Sequence, residues 1–201
     1  MVKGLVNHDK GNTLKTILKE FDKAGYIVDY KVLNSIDYGV AQMRERIYFV
    51  GIKKDLKIKE FKWPPKIKHV NIQNFLMLDN NIELKIEGKT FQKYINNKYN
   101  KNKFDINKIL KTDYLVLDTR QSDLRIYKNK VPTLRTGRHG ILFVKDNKLF
   151  KLNAKNALYL QGFPNELIQK IDNFNINNTR ILAQAGNAMT VNVIENICSS
   201  R

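Results

Sequence analysis

Three short blocks of this 201-residue chain carry side chains whose type and spacing could do chemistry. In Gln42-Met43-Arg44-Glu45-Arg46, the residues Gln42, Arg44 and Arg46 alternate at the entry to a strand, so their polar ends can share one face and line a pocket. A solvated strand edge with Glu45 on the opposite face would give the same spacing. The second block is Val131-Pro132-Thr133-Leu134-Arg135-Thr136-Gly137-Arg138-His139-Gly140, preceded by Arg120-Gln121-Ser122-Asp123-Leu124-Arg125. Its arginines, threonines and histidine supply donors, and its two glycines permit close backbone approach. Arg120, Arg125, Thr133, Arg135, Thr136, Arg138 and His139 are therefore candidate DNA contacts, because an arginine fork can engage guanine O6 and N7 whereas lysine chiefly neutralises phosphate. An ordinary basic β-turn explains the spacing of this block equally well. The third block pairs Leu160-Gln161-Gly162-Phe163-Pro164 with Gln184-Ala185-Gly186-Asn187-Ala188-Met189. On spacing alone these read as a helix stopped by glycine and proline and as a second helix boundary.

Charge narrows the partners. The chain has 36 Lys and Arg against 19 Asp and Glu, a formal net charge of +17, which favours a polyanion, nucleic acid first and a membrane surface second. No apolar run approaches the roughly 20 residues that a spanning helix needs, and Asn7-His8-Asp9-Lys10 interrupts any signal-peptide core, so a cytoplasmic protein is expected. The one cysteine, Cys198, and three scattered histidines offer no zinc-site spacing, and no structural metal is expected.

The elements that must position these blocks follow from periodicity. Leu14, Ile17, Leu18 and Phe21 predict a helix over 13–24 with Asn12 or Thr13 as N-cap and Gly25 as its end. Strand runs are expected at 26–33 and 46–52, with a turn at Asp37-Tyr38-Gly39-Val40 between them. These elements are too few to close a core by themselves, and they predict more sheet upstream. Between Lys53 and Lys111 stand fifteen lysines, no arginine and six acidic residues; that stretch reads as a solvated or flexible insertion. Short strand runs at 114–117, 124–127 and 140–144, with a hairpin turn at 145–148, predict a small β-rich unit. Short helices are expected over 153–160 and 188–198, the latter with Met189, Val193, Ile194 and Ile197 on one side and Cys198 as a small buried or half-buried residue.

The blocks in this order resemble the late motifs of DNA (cytosine-5) methyltransferases. Asp37-Tyr38-Gly39-Val40-Ala41-Gln42-Met43-Arg44-Glu45-Arg46 resembles motif VIII, with Ala41 where proline is usual. Lys151 to Pro164 resembles motif IX, although Asn153, Ala154, Lys155, Asn156 and Tyr159 stand where the family has threonine or serine, proline, arginine, glutamate and arginine. Gln184 to Val191 resembles motif X, and Met1-Val2-Lys3-Gly4-Leu5 looks like the middle of an earlier motif. In this family the target recognition domain lies between motifs VIII and IX and has a Thr followed by an apolar residue near its end, which Thr133-Leu134 matches.

The resemblance implies an α/β fragment, the last helix and strands of a Rossmann-like methyltransferase domain, plus a small β-rich target recognition domain. The implied division is 1–54 for the catalytic part, 55–180 for recognition and 181–201 for a helix returning to the catalytic part. Arg46 would hold the target cytosine's O2, with Arg44 supporting nearby backbone and Gln42 in the same pocket. Asn187 and Ala188 would border S-adenosylmethionine. The family's nucleophile is a cysteine following a proline, and Cys198 follows Ile197. The expected protein is thus the DNA-recognition half of such an enzyme, a split C-terminal subunit or a truncated form, from a restriction and modification system, acting on double-stranded DNA and inactive without an N-terminal subunit. Rival readings are a stand-alone sequence-specific DNA binder and a non-specific polyanion or RNA binder using Lys53 to Lys111.

Overall fold

The computed structural model describes residues 2–56, 60–78, 81–137, 139–174 and 176–200. Helices α1 (Val2–Asn7) and α2 (Asn12–Lys23) lead into β1 (Tyr26–Asn34). The predicted helix forms, but neither Asn12 nor Thr13 caps it: Gly11, at φ 89°, holds the N-cap position without a side-chain bond, and Asn12 is the first helical residue. A left-handed entry is open to glycine at little steric cost. After a 3₁₀ turn at Ser35–Tyr38 come β2 (Gln42–Met43) and β3 (Glu45–Lys53). β3 pairs antiparallel with β1 along nine residues, from Tyr26 opposite Lys53 to Asn34 opposite Glu45.

Beyond this ladder lie β4 (Glu83–Leu84), α3 (Lys89–Ile95), α4 (Ile106–Leu110), β5 (Val116–Asp118), β6 (Arg125–Tyr127), β7 (Val131–Pro132), β8 (Ile141–Lys145) and β9 (Lys148–Lys151). A five-stranded sheet runs in the order β4-β9-β8-β5-β6. The β8–β9 turn is tight because Asp146 and Asn147 adopt φ of 49° and 60°, the left-handed conformation that suits the twist of a two-residue hairpin.

Four consecutive residues of β8, Ile141 to Val144, are buried. The reason is that the sheet is covered on both faces. Ile141 and Phe143 face a core with Val116, Leu134, Leu158 and Ile181, whereas Leu142 and Val144 face Phe91, Ile95, Ile109 and Leu117. The lysine-rich stretch therefore departs from the expected solvated insertion: α3 and α4 arise from it and supply Phe91, Ile95 and Ile109 to that second core. Its charge sits on the faces pointing away from a sparse apolar pattern that one-dimensional composition averages out.

The chain closes with α5 (Ala154–Tyr159), α6 (Asn165–Lys170), α7 (Asn178–Asn187) and α8 (Val191–Ser199). Val193, Ile194 and Ile197 of α8 pack with Leu33, Tyr38 and Tyr48, so the C-terminal helix returns to the β1–β3 ladder. Met189, expected in that packing row, precedes the helix and is 61% exposed. Cys198 is also exposed, not buried or half-buried. No helix among the described residues is long and apolar enough to cross a membrane.

Candidate nucleic-acid interface and target-base pocket

β2 is only two residues long, yet it pairs in parallel with β7, setting Gln42 opposite Val131 and Met43 opposite Pro132. That bridge brings residues 42–46 against residues 131–136. Gln42 is fully buried: its Nε2 donates to Leu160 O at 2.9 Å and its Oε1 accepts from Leu134 N at 3.0 Å. Thr133 Oγ1 donates to Met43 O at 2.6 Å. Each of these groups satisfies a buried partner that water cannot reach.

Arg44 is the hub. It is 3% exposed, and its guanidinium donates to Leu134 O at 3.0 Å, Gly186 O at 3.1 Å and Ala188 O at 2.8 Å. Burial, with Arg46 beside it, pulls its pKa down to about 10, so it stays charged at neutral pH. One cation thus ties residue 134 of the second block to the α7 terminus. Gln42 and Arg44 accordingly do not present their ends in one open row. Of the three alternating residues, Arg46 keeps the most accessible terminus, donating to Glu45 O at 2.6 Å and lying half-buried. Burial lowers its pKa, and the Arg135 charge lowers it further.

Arg44, Arg46 and Tyr48 stand at alternate positions and so share a face. Arg44 Nε and the Tyr48 hydroxyl are buried without a hydrogen-bond partner among the described residues. Burial also raises the Tyr48 pKa against the pull of Arg44 and Arg46.

A second buried network locks the same junction. Ser35 Oγ bonds Thr190 Oγ1 at 2.7 Å, Thr190 Oγ1 donates to Gln161 Oε1 at 2.9 Å, and Gln161 Nε2 donates to Ala185 O. Sequence reasoning missed Ser35, Thr190 and the role of Gln161, because three isolated polar residues far apart in the chain carry no local signal. Gly186 is different. A Cβ there would lie 2.6 Å from Thr136 N and 2.7 Å from Arg135 C, so only glycine lets α7 end against residues 135 and 136. Thr136 Oγ1 lies 2.5 Å from Asn187 Oδ1, which brings these two predicted site residues together. Ala188 is represented at the hub by its carbonyl.

The arginines of the second block and of the run preceding it fall into different environments. Arg120 was expected at DNA, but it is committed internally: it holds Asp118 through Nε and Nη2, each at 2.7 Å, and donates to Thr133 O at 2.8 Å, with its side chain 6% exposed. Burial raises the Asp118 pKa, but the Arg120 bonds outweigh it and leave that carboxyl below its usual range. Arg125 is exposed and paired with Asp123. Arg135, Thr136 and His139 are exposed on one loop. Arg138 lies outside the described residues.

The sequence profile described as C-5 cytosine-specific DNA methylase matches residues 2–200. The chain belongs to that family. Among the methylase relatives, the type II methyltransferase M.Bsp6I of Bacillus sp. (strain RFL6) is 31% identical over 211 residues, covering 99% of this chain and 62% of that protein. M.HaeII of Haemophilus aegyptius is 32% identical over 206 residues, covering 99% and 58%. The crystal structure of S. pombe Dnmt2 methyltransferase aligns with a TM-score of 0.62 at 14% identity, over 96% of this chain and 61% of that one, a likeness of methyltransferase fold with mixed α/β content. The chain spans less than two thirds of the length of each.

Proposed function

We propose that this methylase-family chain is the DNA-recognition half of a DNA (cytosine-5) methyltransferase in a restriction and modification system, working with an N-terminal methyltransferase subunit. The observation that carries this reading is the pair Arg46 and Arg135. The β2–β7 bridge sets residues 42–46 against residues 131–136, so a half-buried Arg46 and an exposed Arg135 flank the same junction, and neither has a carboxylate partner among the described residues. Uncompensated like charge held in place by a buried network suits a polyanion arriving from outside.

The division of labour follows from the family chemistry. A cysteine thiolate adds to cytosine C6 and makes C5 nucleophilic, and the base must first leave the duplex. The exposed Cys198 on α8 stands in no such setting, and this reading assigns the thiolate to the N-terminal subunit. In the proposed pocket Arg46 donates to the cytosine O2, while Arg44 and Gln42 hold the backbone around it. S-adenosylmethionine supplies the methyl group when bound. Asn187 is exposed, with its Oδ1 engaged by Thr136 and its Nδ2 without a partner among the described residues, which fits one edge of that cofactor. The β1–β3 ladder with α1, α2 and α8 is the proposed piece of the catalytic domain, and the five-stranded sheet the core of the target recognition domain.

The test is transfer of tritium from labelled S-adenosylmethionine to duplex DNA. This chain alone should give no incorporation, and mixing it with the N-terminal subunit should restore it. Label entering DNA with this chain alone overturns the proposal.

A further inference from the structure

The asparagine-rich stretch at 94–103 is docked onto the loop that joins β5 to β6. Asn100 is 1% exposed; its Nδ2 donates to Tyr94 O at 3.1 Å and Ser122 O at 3.0 Å, and its Oδ1 accepts from Leu124 N at 2.8 Å. Tyr94 Oη donates to Gln121 O and Asn97 Nδ2 to Ser122 O, each at 3.0 Å. The backbone of residues 121–124 is therefore clamped from outside its own strand pair. A buried asparagine with both ends used is a rigid support, since displacing it would strand several polar groups.

The clamped loop carries the Gln121 side chain, whose amide makes no hydrogen bond among the described residues. Gln121 is half-buried and lines a recess of about 200 Å³ with Asp118, Arg120, Tyr127, Thr133 and Arg135. Asp118 and Arg120 satisfy each other, and Thr133 is bonded to Met43 O. Among the described residues this leaves the Gln121 amide, the Tyr127 hydroxyl and the Arg135 guanidinium without partners in the recess. A terminal amide offers a donor and an acceptor side by side, the complement of adenine N6 and N7, while a guanidinium fork complements guanine O6 and N7. A flexible glutamine gains such specificity only where its backbone is fixed, and the Asn100 clamp fixes it.

We infer that Gln121 is a specificity-determining residue that reads a purine edge, adenine foremost, in the major groove of the target duplex, and that Asn100 is its positioning residue. This rests on the reading of the chain as a DNA-recognition half. It assigns the asparagine-rich stretch to base recognition rather than to bulk charge, and it places the base read by Gln121 beside a guanine read by Arg135.

Selection of bound duplexes from a random library by the purified chain, followed by sequencing, tests it. The wild-type chain should enrich a motif containing a purine that Gln121→Ala loses selectively, by about 5- to 150-fold at that position, with the salt dependence of binding unchanged. Arg135→Ala should relax a different, neighbouring position. Asn100→Ala should relax the Gln121 position while sparing the Arg135 position, a pattern that general unfolding would not give. Gln121 is not buried, so its replacement leaves the fold intact. An unchanged motif in Gln121→Ala overturns the inference and leaves the DNA-recognition reading standing; a wild-type chain that enriches no motif overturns both.

Discussion

Replacing Arg44 with methionine removes a charge while nearly preserving side-chain volume, and the hub predicts a large loss of stability. Two buried carbonyls, of Leu134 and Gly186, and the half-buried one of Ala188 lose their donor, and bonds from a charged group contribute about 1.5–3 kcal/mol each. Opposing this, the charge is held in a dry place: burial pulls its pKa down from the ordinary guanidinium range to about 10, which corresponds to about 3 kcal/mol that the apolar side chain would recover. The balance is a loss of about 2–5 kcal/mol, because contributions within one network do not simply add. Urea unfolding followed by the fluorescence of Trp63, which packs with Tyr48 and Val193, should show the midpoint falling by about 1–2 M at a typical slope. Arg44→Lys should fall between the two, since an ammonium cannot span the fork of acceptors. A midpoint for Arg44→Met equal to or above the wild type would refute the reasoning, as buried ions replaced by apolar groups sometimes do stabilise.

Three further outcomes follow from the same contacts. Gly186→Ala should destabilise by about 1–3 kcal/mol through overpacking and weaken DNA binding in parallel, since the clash falls on the backbone of Arg135 and Thr136; thermal melts and fluorescence anisotropy check this. Asp118→Asn should destabilise by about 3–5 kcal/mol near neutral pH by stranding the buried Arg120. The folded-state carboxyl lies below its usual value, so the pair's contribution is present above the unfolded pKa and lost as pH falls through the folded one, and the gap between wild type and variant in urea midpoint should close in acid. Arg135→Lys should keep the salt slope of DNA binding while lowering the ratio of specific to non-specific affinity at least about 5-fold; an unchanged ratio in competition binding would remove Arg135 from base recognition.

Local elements were legible in the sequence where one residue type repeats at a short period. Leu14, Ile17, Leu18 and Phe21 announced α2, the run Arg46 to Ile52 announced β3, and Lys145-Asp146-Asn147-Lys148 announced the β8–β9 hairpin. The lysine-rich stretch was misread because its core contacts, Phe91, Ile95 and Ile109, are spread thinly among lysines and asparagines. The candidate site was legible as a set of blocks, and the family match over residues 2–200 agrees with the resemblance those blocks carry.

By itself the sequence determined which residues could be brought to a nucleic acid, because charge, hydrogen-bonding capacity and strand alternation are properties of type and spacing. Only the tertiary structure decided which of them remain available. Arg44, Arg120, Arg125 and Arg135 are chemically the same residue, yet Arg44 is consumed by three carbonyls and Arg120 by Asp118, while Arg125 is exposed with a carboxylate beside it and Arg135 is exposed without one among the described residues. Hydrogen bonds between groups 90 or more residues apart depend on how the chain returns to itself. The two C-terminal blocks therefore act here as the acceptors that hold Arg44 and Gln42 still, a role that neither block's own sequence expresses.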